Sequence, residues 1–186
     1  MRGYPTSFIF LLLSLGALAW TPVLTGCGAA LEDSVAAKTD DSAPKDGLEE
    51  LFGTRLQNAD GEETTLAELE GKKVGLYFSA HWCPPCRAFT PLLVDAYNQL
   101  QADGKPFEIV FVSSDRSAEA MRAYMKEYDM DWLALPFEAE QRSALAQRFG
   151  VRGIPTLVVV DADGRTLSAD ARNQVAQWGA GAYERW

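Results

Sequence analysis

Trp82-Cys83-Pro84-Pro85-Cys86 is the stretch whose reading decides the fold. Before it, Lys73-Val74-Gly75-Leu76-Tyr77-Phe78-Ser79 is a short apolar run of the kind that forms a buried strand. After it, Phe89, Leu92, Leu93, Ala96, Tyr97 and Leu100 recur at helical spacing, which predicts an amphipathic helix. Cys83 therefore falls in the turn where a helix begins, and Cys86 in its first turn. Free amide hydrogens and the macrodipole at a helix start favour an anion, so Cys83 is expected to ionise more readily than a free cysteine. Moving a thiol pKa from ~8.5 to about 7 takes roughly 2 kcal/mol, a scale that this position and a nearby cation supply. Arg87 is the obvious cation. Pro84 stands where a missing backbone N–H costs nothing and a fixed φ helps start the helix. Pro85 beside it stiffens the loop further.

Two other uses of a thiol pair fit less well. Structural zinc needs about four ligands; beyond this pair the chain offers only Cys27 and its single histidine, His81, so no metal is expected. An inert disulfide closing so small a loop would constrain the unfolded chain little.

At 186 residues and 47% hydrophobic content, the chain is long enough for one globular domain plus extensions. A formal charge of −9, with no run of lysine or arginine, gives no reason to expect nucleic-acid binding. Three cysteines do not make a disulfide framework.

Arg2 precedes Phe8–Trp20, apolar except for Ser14. That run is shorter than the ~20 residues of a bilayer span and suits the core of a secretory signal. Leu24-Thr25-Gly26-Cys27 then resembles a bacterial lipobox. The resemblance implies a signal segment over 1–26, cleavage before Cys27, and lipidation of Cys27 as a membrane anchor. An uncleaved anchor, or a cut elsewhere that leaves Cys27 free, are the alternatives. Each puts the domain outside the cytoplasm, where disulfides persist. Gly28 after the cysteine implies the outer membrane in a Gram-negative host, hence a periplasmic location. From Cys27 to Gly47 the chain is rich in Ala, Asp, Glu, Ser and Lys without an apolar period, and reads as a flexible linker. About 20 such residues reach roughly 25 Å. The folded domain is expected over 48–186.

Within it, Leu48–Phe52 reads as the start of a helix or strand, Arg55–Asn58 as a strand, and Thr65–Gly71 as a capped helical turn. Pro91 should bend the long helix. Phe107–Ser113 is a second strand. Ser117 can cap a helix whose Met121, Tyr124, Met125 and Tyr128 face the core. Trp132–Pro136 is extended, Gln141–Phe149 a third helix, and Thr156–Val160 a strand turned back at Asp161–Gly164. The tail from Ser168 to Trp186 either packs as a helix or wraps the sheet edge. Strands alternating with helices, then a closing hairpin, argue an α/β domain with a mixed central sheet flanked by helices.

Gly150-Val151-Arg152-Gly153-Ile154-Pro155-Thr156 opens the last core strand. With the dithiol stretch it resembles the thioredoxin fold, which implies that Pro155 is a cis-proline facing the sulfurs. Tyr77–Arg87 with Phe89-Thr90-Pro91, Phe107–Asp115, Trp132–Pro136 and Gly153–Asp161 resemble the tryparedoxin/nucleoredoxin branch, over residues 48 to 170. Thioredoxin carries a buried aspartate six positions before its first cysteine; here that position is Tyr77, as in the tryparedoxin branch.

The resemblance implies thiol–disulfide exchange with Cys83 as nucleophile and Cys86 resolving, without a bound cofactor. Trp82, Pro84, Pro85, Ile154 and Pro155 would receive the substrate backbone. His81, as imidazolium, would tune Cys83 and make activity pH-sensitive near about 6 to 7; the alternative is an exposed loop histidine. Expected partners are disulfide-bearing proteins, a membrane thiol donor if the chain is a reductase, and the membrane itself. An oxidase or isomerase, or a redox-inactive tethered binding lipoprotein, are the competing readings.

Overall fold

A computed structural model describes residues 46–186. The expected signal segment, Cys27 and most of the linker lie outside the described residues. The first element is helix α1 (Asp46–Phe52), so the folded part takes in Asp46 and Gly47, which composition assigned to the linker. A glycine is needed there: a Cβ on Gly47 would run into the Asp163 carbonyl.

β1 (Leu56–Gln57) and β2 (Glu63–Thr64) precede a 3₁₀ turn, Leu66–Leu69, capped by Thr65. There follow β3 (Lys73–Ser79), α2 (Pro84–Ala102), β4 (Phe107–Ser113), α3 (Ala118–Glu127), β5 (Leu133–Ala134), α4 (Gln141–Arg148), β6 (Thr156–Val160) and β7 (Thr166–Ser168). The tail resolves into α5 (Ala171–Trp178) and a 3₁₀ segment, Gly179–Arg185. The sheet runs in the order β2-β1-β5-β4-β3-β6-β7. β3 is parallel to β4 and antiparallel to β6, and β4 is parallel to β5, so the sheet is mixed, as expected.

The three central strands are buried on both faces, which is why they read as continuous apolar runs. Side chains still alternate by the period of the pleat. Tyr77, Phe107, Ile109, Phe111, Leu157 and Val159 pack beneath α2, α3 and α5, together with Met121, Tyr124 and Met125. Leu76, Phe78, Val110, Val112, Val158 and Val160 face the other way, onto Leu48, Leu51 and Phe52 of α1 and Leu145 of α4. Ser117 caps α3 as read, its Oγ accepting from the Ala120 N–H at 3.1 Å.

One reading of α2 needs correction. Leu92 is 47% exposed, while Thr90 and Val94 are buried in its place, so the apolar stripe sits slightly rotated from the sequence pattern. Pro91 lies inside α2, which continues through it to Ala102. The carbonyl that loses its partner to Pro91 is that of Arg87, an exposed residue whose backbone water can serve.

Candidate active site

β3 ends in the middle of the sheet, a short turn follows, and Cys83 takes the N-cap of α2, with Pro84 and Pro85 as the first two helical residues and Cys86 the third. Cys83 and Cys86 are paired as a disulfide with Cα atoms 5.2 Å apart. The Cys83 backbone is extended (φ −93°, ψ 109°), and its Sγ accepts from the Cys86 N–H at 3.3 Å. An N-cap side chain normally supplies oxygen to this amide. Here sulfur does so, and a thiolate at Cys83 would gain a charge-assisted bond where the helix dipole already favours an anion. Cys86 is fully buried and Cys83 is 4% exposed. Ala80 and Ile154 complete a small apolar cluster around them.

The Ile154–Pro155 peptide is cis. The Ile154 carbonyl oxygen lies 3.7 Å from Cys83 Sγ, so the loop before β6 faces the nucleophile. Trp82 is 54% exposed, yet its Nε1 donates to the Ser114 carbonyl at 3.0 Å, so the exposed indole is held against the loop after β4. Beside that anchor an open cleft of about 480 Å³ is lined by Ser113, Ser114, Phe137, Glu138 and Arg142. Arg142, which sequence reasoning missed, donates to the Ser113 and Phe137 carbonyls and stacks over the Phe137 ring at 4.4 Å, fixing the cleft wall.

His81 is half-buried rather than exposed, and it is held by both its backbone and its ring. Its N–H donates to Asp115 Oδ1 at 2.9 Å, its ring stacks on Tyr124, and its Nε2 lies 3.1 Å from Glu127 Oε2. The imidazole joins the active-site turn to α3. Arg87 is exposed and pairs with no carboxylate among the described residues; its amide joins the first turn by donating to the Cys83 carbonyl.

Beneath Cys86 lies a buried hydroxyl cluster that the sequence showed only in part. Tyr77 OH is 2.7 Å from Thr90 Oγ1, Tyr124 OH bonds the same oxygen, and Ser79 Oγ is 3.2 Å from Tyr124 OH. Thr90 Oγ1 gives its one hydrogen to the Cys86 carbonyl at 2.9 Å. The directions then follow. Tyr77 and Tyr124 donate to the two lone pairs of Thr90, and Ser79 donates to Tyr124. Burial, reinforced by the neighbouring Tyr124, pushes the Tyr77 phenol well above its ordinary range, and burial likewise raises Tyr124. A neutral hydrogen-bonded layer thus fills the place where a thioredoxin aspartate would stand. Tyr77 and Ser79 share one face of β3, and Thr90 sits one turn after Cys86, which a pattern reading can reach. Tyr124 arrives from α3 through tertiary packing and leaves no such signal.

Among the described residues no group of three His, Cys, Asp or Glu side chains is placed to hold a metal. A family described as thioredoxin-like matches residues 71–166. Mouse nucleoredoxin is 45% identical over 133 residues, which cover 71% of this chain and 30% of that protein, so the chain spans less than a third of it. Tryparedoxin II from C. fasciculata superposes with a TM-score of 0.66 at 42% identity, covering 72% of this chain and 89% of that one. Tryparedoxin from Trypanosoma brucei gives 0.66 at 39% identity, covering 74% and 95%. The disulfide pair, the fold around it and these likenesses agree: the chain belongs to the thioredoxin-like oxidoreductases, in the branch of tryparedoxin and nucleoredoxin.

Proposed function

We propose that this chain reduces disulfides in proteins outside the cytoplasm, held to a membrane by a lipid on Cys27. The observation that carries the redox part is the placement of Cys83 Sγ at the α2 N-cap, bonded by the Cys86 amide and faced by the Ile154 carbonyl. In the reduced protein the Cys83 thiolate attacks one sulfur of a substrate disulfide. The substrate S–S bond breaks, and the departing thiolate takes up a proton. Cys86 then loses its proton and attacks Cys83 Sγ, breaking the mixed disulfide and releasing the second substrate thiolate. Two electrons pass from the cysteine pair to the substrate, and Cys83–Cys86 is left oxidised until a membrane thiol donor reduces it again. Trp82, Pro84, Pro85, Ile154 and Pro155 form the rim on which substrate backbone lies. Pro155 has no amide hydrogen, which leaves the neighbouring backbone to pair with an extended peptide.

Insulin reduction by dithiothreitol tests the chemistry: wild type should accelerate it and Cys83→Ser should not, whereas equal rates would overturn the enzyme reading. A reduction potential near about −270 mV supports a reductase, and one near about −120 mV would make the chain an oxidant instead. Cys27→Ser should move the protein from the membrane fraction to the soluble fraction. Unchanged membrane association would overturn the lipid tether.

A further inference from the structure

Three chain segments frame the disulfide: the turn and first helical residues at 81–88, the loop at 114–117 and the loop at 150–156. Arg87, Arg116 and Arg152 stand on them, one on each, and all three are exposed. None is paired with a carboxylate among the described residues, whereas Arg55, Lys72, Lys105, Arg122, Lys126, Arg148 and Arg165 elsewhere each are. Lys73, Arg172 and Arg185, also without an ion pair among the described residues, are engaged by carbonyls, by Asn173 and by the Trp178 ring. The only carboxylate on these segments is Asp115, 7% exposed, which is taken up by the His81 N–H and the Ser113 hydroxyl. Glu127 of α3 lies against His81. The cleft wall beyond them is mixed in charge, with Arg142 beside Glu138 and Glu140.

The positions tie these charges to the reacting sulfur. Arg87 follows Cys86 directly. Arg116 follows Asp115, which holds the His81 amide, and Ser114, which holds the Trp82 indole. Arg152 is two residues, a chain span of at most ~7 Å, from Ile154, whose carbonyl lies 3.7 Å from Cys83 Sγ. In a chain of net charge −9, the three segments that frame the disulfide therefore carry three exposed arginines against one buried aspartate.

Resting on the reductase reading, we infer that the preferred substrates are protein disulfides flanked by acidic residues. Free arginines beside a shallow cleft recognise carboxylates bidentately and attract an anionic chain before contact. The same field repels a disulfide flanked by lysine or arginine.

Three disulfide peptides of identical backbone, with Asp, Ser or Lys beside the disulfide, test this with the full chain and dithiothreitol as reductant. At low ionic strength kcat/KM for the Asp peptide should exceed that for the Lys peptide by about tenfold, the lower end of electrostatic steering. The ratio should fall toward one in about 1 M salt, where the screening length is ~3 Å. The charge reversal Arg116→Glu with Arg152→Glu should invert the preference, and the neutralising pair Arg116→Gln with Arg152→Gln should abolish it, which keeps the test if the reversal unfolds. A wild-type ratio near one, or a ratio that neither pair changes, would overturn the inference. Failure of wild type to reduce the Ser peptide would instead overturn the reductase reading on which it rests.

Discussion

Replacing Thr90 by valine keeps the side-chain shape and removes the oxygen on which the buried hydroxyl cluster converges. Thr90 is fully buried, accepts from the Tyr77 and Tyr124 phenols, and donates to the Cys86 carbonyl. In the variant Tyr124 keeps Ser79, but the Tyr77 hydroxyl faces a methyl group. A buried hydroxyl left unpaired costs about 1–3 kcal/mol. With the bond to Cys86 also gone, Thr90→Val should lose about 2–3 kcal/mol. Urea unfolding of the oxidised protein, with a slope of about 2 kcal/mol per molar, should show a midpoint lower by about 1 to 1.5 M. Adding Tyr77→Phe removes the stranded donor, so the double variant should regain part of the loss, with a coupling of at least about 1 kcal/mol. A loss below about 0.5 kcal/mol for Thr90→Val, or strict additivity with Tyr77→Phe, would refute the assigned bond directions.

Burial raises the phenols of Tyr77, Tyr97 and Tyr124 above their ordinary value, with Glu108 adding to the effect at Tyr97. Their stabilising contribution is full below pH about 10 and declines as pH rises further, because the unfolded chain ionises first. Of the six tyrosines these three should show tyrosinate absorbance only as the far-UV circular dichroism is lost; titration of all six in the native state would contradict the buried layer. Gly75→Ala places a Cβ 3.1 Å from the Phe107 ring and 3.3 Å from Leu157, and should cost about 1–2 kcal/mol by thermal unfolding; an unchanged melting temperature would mean the core gives way there. Cys86→Ser should accumulate a mixed disulfide between Cys83 and a substrate peptide, visible by non-reducing electrophoresis, and failure to trap any adduct would remove Cys86 from the resolving role.

The fold was legible where one physical rule acted alone. β3, β4 and β6 announced themselves as apolar runs because both their faces are covered. Cys83 could be placed at a helix start because an apolar strand run precedes it and a helical period follows it, whereas Pro155 was reached only through the resemblance to the thioredoxin fold. The tail was not legible. Trp178 is partly exposed and Trp186 packs against Phe107, so α5 and the 3₁₀ segment depend on contacts with distant residues rather than on their own periodicity. The contacts of His81 were not legible for the same reason, since its partners Tyr124 and Glu127 lie far along the chain and become neighbours only through α3. Gly47 read as linker by composition, yet it belongs to α1 because the turn at Asp163 leaves room for no side chain.

Partial alkylation of the reduced protein with iodoacetamide, read by peptide mass spectrometry across pH, tests the central claim most directly. Cys83 should be modified well before the fully buried Cys86, and its rate should already be near its plateau at about pH 7.5, below the range of a free cysteine. Equal labelling of the two sulfurs, or a Cys83 rate still climbing through pH about 8.5, would contradict an α2 N-cap that prepares Cys83 as the nucleophile.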